Sequence, residues 1–301
     1  MARRNASSRV VVAVVATASL FAVGLGTASS APHVARTLAT TPTLKVRISH
    51  GKFTLHGPRS FQAGRVDLSL TARGKESEIE VAQFAKGYGF KGYIRNFKKY
   101  AHGQTQNGES KAGLAALNHL VDNTTFFGGL DSPRGKTTTG SILLPTAGTY
   151  VIFNDSAGRS PHKLTVTGPA VKRAAPKSSG TIKANSRKRF GGAVTASANG
   201  TLTYRNVSKG SGSSPHFLVL QHVAKGTTRR QVFDALMSSS NSKPAFARAG
   251  SLSIDVISPG HSMTFDTHLP KGEYAEMCFF PDLQTGVPHA FMGMVGIITL
   301  K

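Results

Sequence analysis

The chain has 301 residues, with 37 Lys and Arg against 14 Asp and Glu, one cysteine, no tryptophan and 32 glycines. One cysteine excludes an intramolecular disulfide framework, and short β-branched runs between Gly, Pro and Ser clusters suit an all-β protein. A formal charge of +23 favours anionic partners. The basic residues are scattered, however, apart from Lys172-Arg173 and Arg187-Lys188-Arg189, with neither a recognition-helix pattern nor a basic–aromatic stacking platform, so specific nucleic-acid binding is not expected.

In chain order, the first predicted element is a signal peptide over 1–30. Arg3, Arg4 and Arg9 form a positive n-region, Val10 to Gly26 is an uncharged apolar run, and Ala28 and Ser30 supply small residues for cleavage near Ser30. No second long apolar segment follows, so the mature product is expected to be exported without stable membrane insertion. The remainder is long enough for two domains. A composition shift at 169–180, Pro-Ala-Val-Lys-Arg-Ala-Ala-Pro-Lys-Ser-Ser-Gly, reads as an exposed linker between a first domain over 42–168 and a second over 181–301.

The two domains echo each other. Aligning Ala85-Lys86-Gly87 with Ala224-Lys225-Gly226 sets Ile79 and Val81 on Leu218 and Leu220, the core-facing positions of a strand, and Glu78 and Glu80 on Phe217 and Val219. A helical stretch follows each anchor. Thr228 and Gln231 have capping-box spacing ahead of Val232, Phe233 and Leu236, and the longer stretch in the first half has apolar repeats at Ile94 and Phe97, then Leu114, Leu117 and Leu120. Near the end of each half, Leu144-Pro145-Thr146-Ala147-Gly148-Thr149-Tyr150 parallels Leu269-Pro270-Lys271-Gly272-Glu273-Tyr274. An internal repeat accounts for this order.

The chemistry-bearing stretch is the last hairpin. Its spacing is Cys-x10-His-x4-Met, from Cys278 through His289 to Met294, preceded by the Gly-x-Tyr of Gly272 to Tyr274. Upstream, Ser213-Ser214-Pro215-His216 opens a strand continuing through Leu218 and Leu220. Two imidazoles, one thiolate and a thioether form the donor set of a trigonal blue-copper site. Met292 and Met294 alternate, so only one readily faces the site; Met294 is preferred and Met292 is held in reserve. His222, His261 and His268 have no partners at ligand spacing and read as surface or strand histidines. In the first half, Ser77 stands where His216 stands in the second, and Asn154 where Cys278 stands. Pro161-His162 echoes Pro288-His289, but no methionine follows it.

These residues resemble the cupredoxin (plastocyanin/azurin-like) family over most of 180–301, from Asn206 and Pro215-His216 through the Gly-x-Tyr strand entry to the Gly293-Met294-Val295-Gly296 run. The resemblance implies two tandem cupredoxin-like Greek-key β-sandwiches with short helical insertions, the first a degenerate repeat without copper ligands. It also implies one type-1 copper held by His216, Cys278 and His289, with Met294 as the weak axial ligand. The Cys–His loop departs from the short loops of small electron carriers by its ten intervening residues. The region of Asn206 is the expected source of a hydrogen bond to the Cys278 sulfur.

The function expected from this set is single-electron transfer by a secreted protein of the cell envelope, with an acidic redox partner or an anionic envelope polymer on its basic surface. The alternatives are a copper-free extracellular interaction module and copper delivery or sequestration without redox cycling. Enzymatic chemistry is not expected: no His-x-His pair, Gly-x-Ser-x-Gly elbow or His-Glu-x-x-His motif is present.

Overall fold

The computed structural model describes residues 40–105, 108–154, 161–238 and 250–301. These belong to one compact unit. The expected signal peptide over 1–30 lies outside the described residues.

The first half opens with β1 (Thr43–Ser49), β2 (Lys52–His56), β3 (Ser60–Arg73) and β4 (Ser77–Phe84). Period-2 alternation drives these strands: in β1, Leu44, Val46 and Ile48 are buried while Lys45 and Arg47 face solvent. Then come α1 (Gly89–Gly103), the short strands β5 (Gln104–Thr105) and β6 (Gly108–Glu109), and α2 (Lys111–Asp122). Ser110 caps α2, its side chain accepting from the Gly113 N–H. The half closes with β7 (Thr124–Ser132), β8 (Thr137–Leu144), β9 (Gly148–Phe153) and β10 (His162–Val171).

The second half runs through β11 (Thr181–Ala184), β12 (Phe190–Gly192), β13 (Thr195–Ala196), β14 (Thr201–Asn206) and β15 (His216–Val223). Next is α3 (Arg229–Met237), followed by β16 (Ser251–Ile257), β17 (Ser262–Asp266), β18 (Gly272–Met277) and β19 (Val295–Leu300). The capping box expected at Thr228 and Gln231 is formed in both directions. Between β10 and β11 the chain is held down by Arg173, whose guanidinium donates to the carbonyls of Thr40, Gln62, Ala63 and Arg65.

The halves share one topology. β1 runs parallel to β3 as β11 runs parallel to β14, and β3 pairs antiparallel with β8 as β14 does with β17. In the facing sheet, the order β7-β4-β9-β10 matches β16-β15-β18-β19. β10 then pairs parallel with the start of β3 as β19 does with β13. The main difference is that β3 is a single strand spanning both sheets, bent at Gly64 (φ +134°), where the second half uses separate β13 and β14. The all-β tandem-sandwich class expected from the sequence is thus the one observed.

Both sheets continue across the seam between halves. β7 pairs with β16, and β8 pairs with β17, so one buried apolar cluster includes Leu68 and Ile142 from the first half together with Leu218 and Phe265 from the second. Gly140 permits this approach: a Cβ there would sit 2.7 Å from the Thr264 carbonyl oxygen. The Asp266 carboxylate ties both sides, accepting from Thr201 Oγ1 at 2.7 Å and from Thr139 Oγ1. Glu80, which alternates out of phase with Ile79 and Val81, is nevertheless only 2% exposed. Its two oxygens accept from the N–H groups of Val81 and of Val256 on β16, each at 3.0 Å.

Candidate metal centre

His216 opens β15, and Cys278 directly follows β18. These strands are antiparallel neighbours, with Val219 opposite Met277, so the pairing register delivers the imidazole and the thiol to one end of the sheet. The chain then leaves, returns through a Pro281–Pro288 bridge, and enters a short 3₁₀ turn over His289–Met292. Backbone bonds fix that return: His289 N–H to Phe280 O at 3.0 Å, Ala290 N–H to Cys278 O at 2.6 Å, and Met294 N–H to His289 O at 2.9 Å. Gly293, at φ +91°, ends the turn in the left-handed conformation and releases the chain into β19.

Three donor atoms converge. His216 Nδ1 and His289 Nδ1 are 3.1 Å apart, and each lies 3.7 Å from Cys278 Sγ. All three residues are 0% exposed. A first-row metal bonded to nitrogen and sulfur at about 2.0–2.3 Å needs its equatorial donors roughly 3–4 Å apart, which is the spacing found. Among the described residues, His216, Cys278 and His289 form the one group of His, Cys, Asp or Glu side chains arranged to hold an ion. Met294 is 0% exposed and belongs to the same apolar cluster as Cys278, whereas Met292 is 42% exposed.

The surroundings set protonation. Burial, followed by the neighbouring His289, holds His216 down to about 3, and burial holds His289 down to about 4. Both rings are therefore neutral near pH 7, as ligands must be. The His216 ring meets Ser208 Oγ at 3.1 Å through Nε2 and also bonds the Asn185 backbone. A proton kept on Nε2 leaves Nδ1 as a lone pair aimed at the site. Burial pushes the Cys278 thiol up to about 12, opposed by hydrogen bonds from the Phe217 and Phe280 backbones. Those bonds correct the expectation for Asn206. Its side-chain N–H groups donate to Ser214 O and Ile257 O, both at 2.8 Å, and its Oδ1 accepts from the Ser208 N–H. Asn206 thus pins the loop before His216, and the sulfur takes its hydrogen bonds from main chain, which composition and spacing do not reveal.

The corresponding end of the first half has different chemistry. Asn154 donates through Nδ2 to Glu78 O at 2.6 Å, Ser77 Oγ donates to Lys75 O at 3.4 Å, and the His162 ring packs on Phe53 at 4.8 Å. Of the other histidines, His222 stacks on Tyr274, His261 packs edge-on to Phe127, and His268 Nδ1 lies 2.7 Å from Asn199 Oδ1.

No protein-family model matches the chain, and no curated protein matches it. Solved structures similar to it include a sodium-dithionite-reduced auracyanin from the photosynthetic bacterium Roseiflexus castenholzii, 20% identical, covering 40% of this chain and 94% of its own, with a TM-score of 0.26. Auracyanin B is 18% identical and covers 43% of this chain and 93% of its own, with a TM-score of 0.28. Auracyanin A, a "blue" copper protein from the green thermophilic photosynthetic bacterium Chloroflexus aurantiacus, is 20% identical and covers 40% and 98%, with a TM-score of 0.25. Each such structure spans a length comparable to one of the two halves. The chemical assignment rests on this chain's own donor set: two neutral imidazoles and one thiol, preorganised and dry, fit one type-1 copper.

Proposed function

We propose that the protein binds one copper ion through His216, Cys278 and His289, with Met294 as the weak axial ligand, and passes single electrons. The observation that carries this reading is the convergence of Nδ1, Nδ1 and Sγ at 3.1–3.7 Å in a fully buried pocket. Copper in such a site supplies a one-electron Cu(I)/Cu(II) couple. The rest is done by this chain. β15 and β18 hold two ligands on a paired sheet end, and the Pro281–Pro288 closure returns the third, so the frame need not rearrange when the charge changes. Burial favours the Cys278 thiol, the Phe217 and Phe280 backbone donors offset part of that, and the thiol proton leaves to solvent when the metal is taken up.

The basic surface supports an acidic redox partner or an anionic envelope polymer as the docking target. α1 contributes the exposed Lys91, Arg95, Lys98 and Lys99 with no acidic residue. The charged n-region and apolar run at the N-terminus support export. Among the described residues, no helix is long and apolar enough to cross a membrane.

The test is addition of Cu(II) to the purified chain, read by visible absorption and paramagnetic resonance. Stoichiometric uptake with an intense thiolate-to-copper band and narrow hyperfine splitting is expected, and the band should vanish in Cys278→Ser. Substoichiometric uptake without colour would sink the proposal and leave a copper-free interaction module.

A further inference from the structure

The Cys–His loop is longer than its stem requires, and its tip does not rest on its own sandwich alone. Beyond the Pro281–Pro288 bridge, 282–287 folds as a compact turn. Asp282 N–H donates to Val287 O at 2.9 Å and Gly286 N–H to Asp282 O at 2.8 Å. Asp282 Oδ1 accepts from the N–H groups of Gln284 and Thr285 and from Thr285 Oγ1, while Oδ2 pairs with Lys188 Nζ at 2.5 Å. Local bonds therefore shape the turn, and the Lys188 pair ties its base to the second half.

Its tip is also held from the first half. Asn118 of α2 donates through Nδ2 to Leu283 O at 2.8 Å, while the same amide bonds Leu114 O at 2.9 Å and so is locked to its own helix. The Leu283 side chain packs on the common core, as does Leu114. Gly286, at φ +74°, lies so close that an added Cβ would stand 2.3 Å from Glu109 Cβ. The turn leads into Pro288 and His289; the charge of Asp282 at its base acts on the His289 ring, which is 0% exposed with its Nε2 buried and without a hydrogen-bond partner. The outer edge of the ring is thus shut off from water by packing, with no polar contact of its own to hold it.

We propose that α2 of the copper-free first half is a clamp on the metal centre, and that Asn118 is a positioning residue holding the Cys–His loop closed over His289. Release of the loop from α2 is the opening through which water, thiol reagents and copper reach Cys278 and His289. The first half thereby governs access to a site to which it contributes no ligand. The copper part of this inference rests on the function proposed above; the clamp itself does not.

The test uses the full chain and reads access directly. In the metal-free protein, the rate at which a small aromatic disulfide labels Cys278 under native conditions reports opening, with the urea-unfolding free energy measured in parallel. Asn118→Ala is expected to speed labelling about 3- to 10-fold, the scale of one lost hydrogen bond, by more than any loss of global stability explains. Gly286→Ala, which forces Glu109 and the turn apart, should act in the same direction. Asn199→Ala, a surface amide deletion, should not. In the copper-loaded protein, Asn118→Ala should lose its visible band to excess EDTA faster by a similar factor, with the band position unchanged. Labelling and release rates at wild-type values, or acceleration wholly matched by global destabilisation, would overturn the clamp. Accelerated labelling in a protein that takes up no copper would uphold the clamp and remove the copper reading.

Discussion

The two halves meet their equivalent strand ends with different side chains, and the comparison separates what the fold needs from what a metal needs. β4 and β15 are equal in length and begin at Ser77 and His216; β9 and β18 are equal in length and are followed by Asn154 and Cys278. Tyr150 and Tyr274 each donate a hydroxyl proton to the carbonyl four residues upstream, Thr146 O at 3.0 Å and Pro270 O at 2.7 Å. The lengths of these strands and the tyrosine corner are thus kept in both copies. The donors differ: where Cys278 faces two imidazoles, the Asn154 amide spends its N–H on the Glu78 carbonyl. Both ends tie side chains to main chain, the amide by donating to a carbonyl and the sulfur by accepting from the Phe217 and Phe280 backbones, but only the second leaves donor atoms facing one another.

The sharpest way to break this comparison is to exchange roles at the equivalent positions. Cys278→Ser should abolish the visible copper band, while Asn154→Ser should leave it intact, both read in the same copper titration. Next in size is the seam. Glu80→Ala removes the carboxylate acceptor of the buried Val81 N–H and the cross-seam acceptor of Val256 N–H, which keeps Asp255 Oδ1, and a loss of about 1–3 kcal/mol is expected in urea unfolding; an unchanged midpoint would mean that the seam does not depend on this carboxylate. The matched tyrosines sharpen the likeness: Tyr150→Phe and Tyr274→Phe should each cost about 1 kcal/mol, and strongly unequal losses would show that the corners are not equivalent. The smallest effect concerns pH. Asp131 is pushed up to about 7 by burial and by Glu76 and Glu78. Its folded value exceeds its unfolded one, so stability falls as pH rises from about 4 to 7. Asp131→Asn should therefore stabilise the protein at pH 8 and not at pH 4, as checked by unfolding at both.

Much of this was legible in sequence because strands and ligand sets leave short-range signatures. Alternation in β4 and β15, the Thr228 cap, the doubled Leu-Pro…Gly-x-Tyr corner and the order His216, Cys278, His289, Met294 are all local patterns. Several features were not legible because they arise from residues distant in sequence. Glu80 reads as the polar phase of a strand until β16 is laid beside it. Asn206 is a plausible neighbour of the sulfur until its amide is seen to be occupied by Ser214 and Ile257. Asn118 is one polar residue on a helix, and its contact with Leu283 crosses 165 positions. The sulfur's own hydrogen bonds come from backbone at Phe217 and Phe280, where side-chain identity carries no signal.

The pairing of β7 with β16 and of β8 with β17 has a consequence for any shorter version of this molecule. Cut between β10 and β11, the second half would keep every proposed ligand yet present β16 and β17 as raw, untwinned edges. Such edges recruit the nearest complementary strand, and in a solution of identical fragments that is another fragment. The repeat therefore serves as an edge guard, a permanently attached neighbour that occupies the positions a stray copy would otherwise take.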